Sequence, residues 1–98
     1  MPVFDSFIGF EWDKGNLDKS YTKHGITPSE AEEIFLDEYA VTVVDIRHTD
    51  KEIRHITIGK TEEKKILFVV FTIRKSHIRI ISARKANRKE KTVYEEHN

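Results

Sequence analysis

Three residues close together in the chain, His48, Glu52 and Arg54, carry side chains suited to acid–base chemistry on a phosphodiester. An imidazole titrates near neutral pH, a carboxylate can accept a proton, and a guanidinium can hold a phosphate at two points. Cleavage of RNA through its own 2′-hydroxyl requires a base, an acid for the leaving oxygen and a cation for the charge between them. The same spacing also fits an exposed histidine beside a surface ion pair, so it predicts only a candidate site.

Two further arginines belong to a stretch, residues 78–86, that combines a β-strand pattern with positive charge. Alternation along a strand predicts one face with Ile78, Ile80 and Ser82 and the opposite face with Arg79, Ile81 and Ala83. Arg79 would then be held at a fixed place on a sheet surface, and Arg84 would lie where the strand gives way to a helix. The alternative for Arg79 is a solvated side chain on the open face of an antiparallel strand.

Several classes of site are disfavoured by what the sequence lacks. The chain has no cysteine, which excludes disulfides, thiolate metal sites and a cysteine nucleophile. Its five histidines form no recognisable ligand pattern, so we expect no metal site. There is no glycine-rich phosphate loop and no nucleophile elbow. No stretch resembles a signal peptide or a membrane span, and we expect a cytoplasmic protein without membrane contact.

The formal charge of zero conceals a strong asymmetry along the chain. Residues 1–50 hold four Lys or Arg against eleven Asp or Glu, whereas residues 51–98 hold thirteen against six. The basic excess is sharpest in residues 74–91, where eight basic residues accompany one acid, Glu90. This asymmetry favours a surface that binds a polyanion. The alternative is that the two halves pair with each other in the fold.

The pattern of apolar residues predicts one α+β domain spanning residues 1–98. A small antiparallel sheet of about four to five strands is expected, with strands near residues 7–12, 41–46, 52–59, 66–73 and 78–83. The run at 66–73 is nearly all apolar, as in a central strand covered on both faces. Two N-terminal helices are expected, one from Asp13 to about His24 and one capped by Thr27 that ends near Asp37. A third helix should follow from Ala86.

A family resemblance rests on several motifs that occur in order along nearly the whole chain. They are Phe10-Glu11-Trp12-Asp13, Gly15-Asn16, Lys23-His24-Gly25-Ile26, Glu30-Ala31-Glu32-Glu33-Ile34-Phe35, Asp45 with His48, Glu52 with Arg54, Gly59, Phe71-Thr72-Ile73-Arg74, Ile78 through Arg84, and Glu90 with Tyr94. In these motifs the sequence resembles the BrnT-type toxins of bacterial type II toxin–antitoxin systems.

This resemblance implies a RelE-like fold and an endoribonuclease that needs neither a metal nor an organic cofactor. The enzyme would stop translation by cutting RNA, on or off the ribosome. It also implies a BrnA-like antitoxin as partner, with operator DNA reached only through that antitoxin. A homodimer of the chain alone is a further expectation. The implied catalytic residues are His48, Glu52, Arg54, Arg79 and Arg84. The implied substrate-binding residues are Lys23, His24, Lys65 and Arg88.

The sequence departs from the family pattern where Gly-Arg is usual and Lys64-Lys65 stands, because a lysine lacks the bidentate fork of an arginine. An alternative function is therefore an inactive toxin homologue that serves as an antitoxin-binding or nucleic-acid-binding module. Tyr94 is expected either to stack on a base or to pack its helix on the sheet, and packing is favoured.

Overall fold

A five-stranded sheet in the spatial order β1-β5-β4-β3-β2 forms the centre of the fold. The computed structural model describes residues 9–12, 25–48 and 52–97, and of His48 only the backbone. The strands are β1 (Gly9–Trp12), β2 (Val41–Val44), β3 (His55–Lys60), β4 (Ile66–Arg74) and β5 (His77–Lys85). The helices described are α1 (Pro28–Glu33) and α2 (Arg88–Glu96), with 3-10 turns at Ile34–Leu36 and Ile46–His48. The α+β class is confirmed.

The expected antiparallel meander is confirmed from β2 to β5, but the sheet as a whole is mixed. Strand β1 pairs in parallel with β5, with Gly9 opposite His77 and Trp12 opposite Ile80. The prediction of an antiparallel sheet was wrong at this edge. Since β1 and β5 are far apart in sequence, no hairpin joins them and the sequence does not determine the direction of their pairing. A hairpin forces neighbouring strands to be antiparallel, whereas strands joined through the rest of the domain can take either direction.

Both described helices begin with a reciprocal capping box. Thr27 accepts from the Glu30 backbone N–H while the Glu30 carboxylate accepts from the Thr27 N–H, as predicted. Asn87 and Glu90 make the same arrangement at the start of α2. The helix predicted from Asp13 to His24 lies outside the described residues. None of the described helices is long and apolar enough to cross a membrane.

The core lies between one face of the sheet and the segment that contains α1 and its 3-10 turn. Leu67, Val69 and Phe71 of β4 are almost completely buried against Ile34 and Phe35. The contact is closest at Gly59, where a Cβ would lie 2.8 Å from the Ile34 Cβ and 3.1 Å from its carbonyl oxygen. Glycine therefore allows the 3-10 turn to sit directly on β3.

A β-bulge in β5 changes the faces that alternation had predicted. Val70 pairs with Ser82 and Phe71 with Ile80, so Ile81 has no opposite residue. Beyond the bulge the phase shifts, and Ala83 joins the buried core instead of Ser82. The prediction that grouped Ser82 with Ile78 and Ile80 was therefore wrong. An extra residue in one strand leaves no clear mark in the pattern of apolar residues.

The second face of the sheet, opposite the core, is only partly covered in the described structure. By register it carries Phe68, Val70 and Thr72 of β4 with Arg84, Ser82 and Arg79 of β5. Helix α2 covers one end, where Tyr94 is 5% exposed and the Lys60 ammonium lies 5.5 Å from its ring centre. Phe68 and Val70 are only half-buried, whereas Thr72 on the same face is buried. The prediction that β4 is covered on both faces was therefore wrong at Phe68 and Val70.

Candidate functional site

An arginine cluster, defined as Glu52, Arg54, Arg74 and Arg79, lies at the end of the sheet farthest from α2. Arg74 ends β4 and donates from Nε to Glu52 Oε2 at 2.7 Å, and its Nη2 bonds the other carboxylate oxygen. Arg79 lies opposite Thr72 in the ladder. The guanidinium of Arg74 lowers the pKa of Glu52 most, and the charges of Arg79 and Arg54 add to this effect. Glu52 is therefore a carboxylate at neutral pH.

Glu52 and Arg54 reach this cluster from irregular backbone, because β3 begins only at His55. The prediction that both lie within a strand was wrong. The Arg54 carbonyl accepts from the Asp45 N–H at 2.8 Å, which ties this segment to the end of β2. The bidentate bond to Arg74 holds Glu52 beside the end of β4. Glu52 and Arg54 nevertheless both belong to the arginine cluster, as their proximity in sequence suggested.

Arg84 lies on the same face as Arg79 only because of the bulge at Ile81. Arg84 follows Arg79 by five positions, and an odd spacing in a regular strand would place the two arginines on opposite faces. Arg84 donates to both carboxylate oxygens of Glu90 at 2.8 Å, and its guanidinium lies 4.0 Å from the centre of the Phe68 ring. The Arg84 guanidinium lowers the pKa of Glu90. The Glu90 carboxylate and the Phe68 ring thus fix the orientation of the Arg84 guanidinium.

An open groove of about 560 Å³ lies on the second face. We call it the apolar groove, since its floor consists of Ile56, Phe68, Val70 and Ile81 from three adjacent strands. The segment after β2 and the start of β3 form its other side. The remaining lining residues are Val44, Asp45, Ile46, Arg47, Arg54 and Ser82. Arg54 belongs both to this groove and to the arginine cluster, so the two features are continuous.

The other predicted site residues are distributed over different parts of the molecule. Lys65 donates to Glu30 at 2.6 Å on the side of α1, and this contact raises the pKa of Lys65. Arg88 is exposed in the first turn of α2. His48 ends a 3-10 turn and its side chain is outside the described structure, as are Lys23 and His24 entirely. The described structure thus brings together Glu52, Arg54 and Arg79, places Arg84 farther along the same face, and leaves Lys65 and Arg88 apart.

Sequence reasoning missed Arg74 and Phe68 as members of this surface. Arg74 directly follows the strand predicted at residues 66–73, and in the structure it is the last residue of β4. Phe68 was assigned to a fully covered strand. Phe68 lies two residues before Val70 and next to Val69, so alternation along the strand places it with Val70 on the face opposite Val69. This alternation was the signal available in the sequence. Tyr94 packs as favoured, because its hydroxyl donates to Asp37 at 2.6 Å and its ring is buried.

Within the part of the chain that the structure describes, one buried hydroxyl at the edge of the arginine cluster has no hydrogen-bond partner. Thr72 is 2% exposed, and among the described residues no group bonds its Oγ1. Thr57, in the neighbouring strand, is equally buried but bonds the Thr42 hydroxyl at 3.0 Å. A buried hydroxyl without a partner costs about 1–3 kcal/mol. No group of three or more His, Asp or Glu side chains in the described structure is arranged to hold a metal ion.

A small α+β domain with arginines along an open sheet face belongs to the class of proteins suited to binding polyanions. Comparison with protein families identifies this class more closely. Residues 12–90 match the family described as "Ribonuclease toxin, BrnT, of type II toxin-antitoxin system". The chain belongs to this family, and its place in a type II system implies an antitoxin partner.

A solved structure agrees with the family assignment. The chain is similar to the 1.1 Å crystal structure of the Brucella abortus ribonuclease toxin BrnT, with a TM-score of 0.61 and 26% identity. The similarity covers 82% of this chain and 97% of the Brucella chain. No curated protein sequence matches.

Proposed function

We propose that this chain is an endoribonuclease toxin that cuts RNA in the cytoplasm by metal-independent acid–base chemistry and thereby stops translation. The observation that carries the proposal is the arginine cluster on an uncovered part of the described sheet face. Two cations, Arg54 and Arg79, adjoin the ionised Glu52 carboxylate there. This set offers phosphate binding, charge stabilisation and a proton acceptor in one place. A BrnA-like antitoxin is the proposed partner that neutralises the activity.

The reaction we propose uses the 2′-hydroxyl of RNA as nucleophile. Glu52 takes the hydroxyl proton as the oxygen attacks the adjacent phosphorus, and the bond to the 5′-oxygen breaks. The imidazolium of His48 protonates that leaving oxygen, giving a 2′,3′-cyclic phosphate and a 5′-hydroxyl. Because its pKa is lowered, Glu52 is ionised at neutral pH and has no proton to donate, so we assign it the role of acceptor and not that of acid. Arg79 and Arg54 balance the charge that builds on the phosphoryl oxygens.

Arg84 and Lys65 receive different roles in this proposal. Because Glu90 and Phe68 fix Arg84, we assign it to holding the RNA along the sheet and not to the reacting phosphate. Lys65 already has Glu30 as partner, which supports a structural role. Lys23, His24 and Arg88 remain proposed substrate-binding residues.

Cleavage of a defined RNA by the purified chain in excess chelator tests this proposal. We expect cutting to continue, to yield 2′,3′-cyclic phosphate ends, and to stop when the nucleotide before the cut carries a 2′-deoxyribose. His48→Ala and Glu52→Gln should each lower kcat by about 10²–10⁴-fold, with folding checked by circular dichroism. Loss of cutting in chelator with recovery on adding Mg²⁺, or equal cutting of the 2′-deoxy substrate, would overturn the mechanism.

A binding module is the second candidate, and one observation favours it. Two of the cations expected in the site are held by carboxylates of the chain itself, namely Arg84 of the catalytic set and Lys65 of the substrate-binding set. A folded protein that binds its antitoxin tightly but cuts neither free RNA nor ribosome-bound message would support this candidate.

A further inference from the structure

The apolar floor of the groove is unusual for its position in the fold. A sheet face turned to solvent normally carries polar side chains that alternate with the buried ones. Here Ile56, Phe68, Val70 and Ile81 lie side by side on the second face, all half-buried, and no described helix packs over them. A contiguous apolar patch in a concave place indicates a binding surface. Its volume of about 560 Å³ lies within the range of roughly 300–1,000 Å³ found for small-ligand sites.

Charge at the groove walls restricts what could occupy it. Arg54 and Arg47 line one side, with one acid, Asp45, between β2 and the 3-10 turn. Arg84 does not line the groove itself, but its guanidinium lies 4.0 Å from the centre of the Phe68 ring, and its N–H groups are turned to Glu90. A flat apolar group joined to a negative charge complements this surface better than an apolar side chain alone. A nucleobase with its phosphate has this combination.

The arrangement also matches how proteins hold single-stranded nucleic acid. Unpaired bases stack on exposed aromatic rings and on arginine planes, while nearby cations follow the phosphates. Phe68 with Arg84 supplies such a platform, and Arg54 connects it to the arginine cluster. We propose that the apolar groove binds one unpaired nucleobase of the RNA, stacked on Phe68, with its phosphate directed toward Arg54. This inference rests on the proposed function, since it takes RNA as the substrate.

The test uses a short single-stranded RNA made uncleavable by 2′-O-methyl groups, with 2-aminopurine at successive positions. Stacking on a ring quenches the fluorescence of 2-aminopurine, so we expect strong quenching at one position when the full-length protein binds. Phe68→Leu keeps an apolar side chain but removes the ring, and should weaken binding about tenfold or more and abolish the quenching. Phe68→Tyr should retain both.

The matched control is Leu36→Ala, since Leu36 is 83% exposed and does not line the groove. It should bind and quench as the unaltered chain does, and thermal unfolding should show that every variant is folded. Unchanged affinity and quenching in Phe68→Leu would overturn the proposal. A Phe68→Leu protein that still binds RNA but no longer binds its antitoxin would also overturn the proposal, because the groove would then be a binding site for a protein.

The uncleavable probe separates this inference from the ribonuclease proposal. Position-specific quenching that depends on Phe68, in a protein that cuts no RNA, would support the base site while the enzymatic proposal fails. RNA cleavage by a protein whose probe binding does not depend on Phe68 would support the ribonuclease proposal and overturn the base site.

Discussion

At the residue scale, two carboxylates determine how the arginines of the open face are held. The Glu52 carboxylate accepts two hydrogen bonds from the Arg74 guanidinium, and the Glu90 carboxylate accepts two from Arg84. The first pair is near the chemistry we propose, whereas the second also closes the capping box of α2. Removing either acid should therefore have different consequences, with activity affected mainly at Glu52 and stability mainly at Glu90.

Glu90→Gln should destabilise the fold by about 1 kcal/mol near neutral pH, because it weakens the capping box and the ion pair. The pKa of Glu90 is lowered in the folded state from the ordinary value of 4.5 by the Arg84 bond. A lowered folded pKa means that the contribution is fully present above pH 4.5 and is lost as the pH falls through the folded value. Urea unfolding from pH 7 to pH 3 measures this. A difference between the two proteins that stays constant over that range would contradict it.

Thr72→Val should leave stability unchanged or raise it by about 1 kcal/mol, because the hydroxyl is buried and no described group bonds it. Thr57→Val is the matched control in the adjacent strand, and it should cost about 0.5–1.5 kcal/mol since it removes a bond to Thr42. Denaturant unfolding of both variants provides the comparison. If Thr72→Val loses as much stability as Thr57→Val, the Thr72 hydroxyl has a partner that this account lacks.

At the element scale, β3 and the 3-10 turn after α1 approach each other closely at Gly59. Gly59→Ala should destabilise the protein by about 1–3 kcal/mol, because the added Cβ would lie 2.8 Å from the Ile34 Cβ. Gly9→Ala is the control, since its Cβ would come no nearer than 3.8 Å to His77. Thermal or urea unfolding distinguishes the two. Equal effects in both variants would show that the contact at Gly59 can relax.

The elements also show what could be read from the sequence. The capping box at Thr27 and the meander from β2 to β5 were predictable, because each follows from neighbouring residues in the chain. The parallel pairing of β1 and the bulge at Ile81 were not, since both depend on contacts distant in sequence. That bulge decides the candidate site, because it turns Arg84 to the same face as Arg79.

At the scale of the whole molecule, ion pairs in the fold cancel part of the charge difference between the two halves of the chain. Lys65 of the basic half pairs with Glu30 of the acidic half, as the alternative reading of the sequence predicted. Arg74 and Arg84 instead find their carboxylates, Glu52 and Glu90, within the basic half. Arg54 and Arg79 add to the positive potential around Glu52. This distribution favours the open sheet face as the surface for RNA.

The similarity to the Brucella toxin extends over most of both chains. The family match at residues 12–90 includes strands β2 to β5 and the segments that carry the arginine cluster. What the family name does not provide is the place of the reaction on the sheet. Sequence spacing named Glu52 and Arg54 as neighbours, and the fold adds Arg74 and Arg79 to them from the ends of two other strands.

Single-turnover cleavage of a defined RNA by Arg79→Ala shows whether RNA is cut at the arginine cluster. Lys91→Ala is the matched control, because it removes a positive charge from the exposed part of α2. We predict a loss of about 10²–10³-fold in the rate for Arg79→Ala and little change for Lys91→Ala, with both proteins folded. Equal rates in the two variants, whether both fast or both slow, would contradict a reaction centred on this cluster.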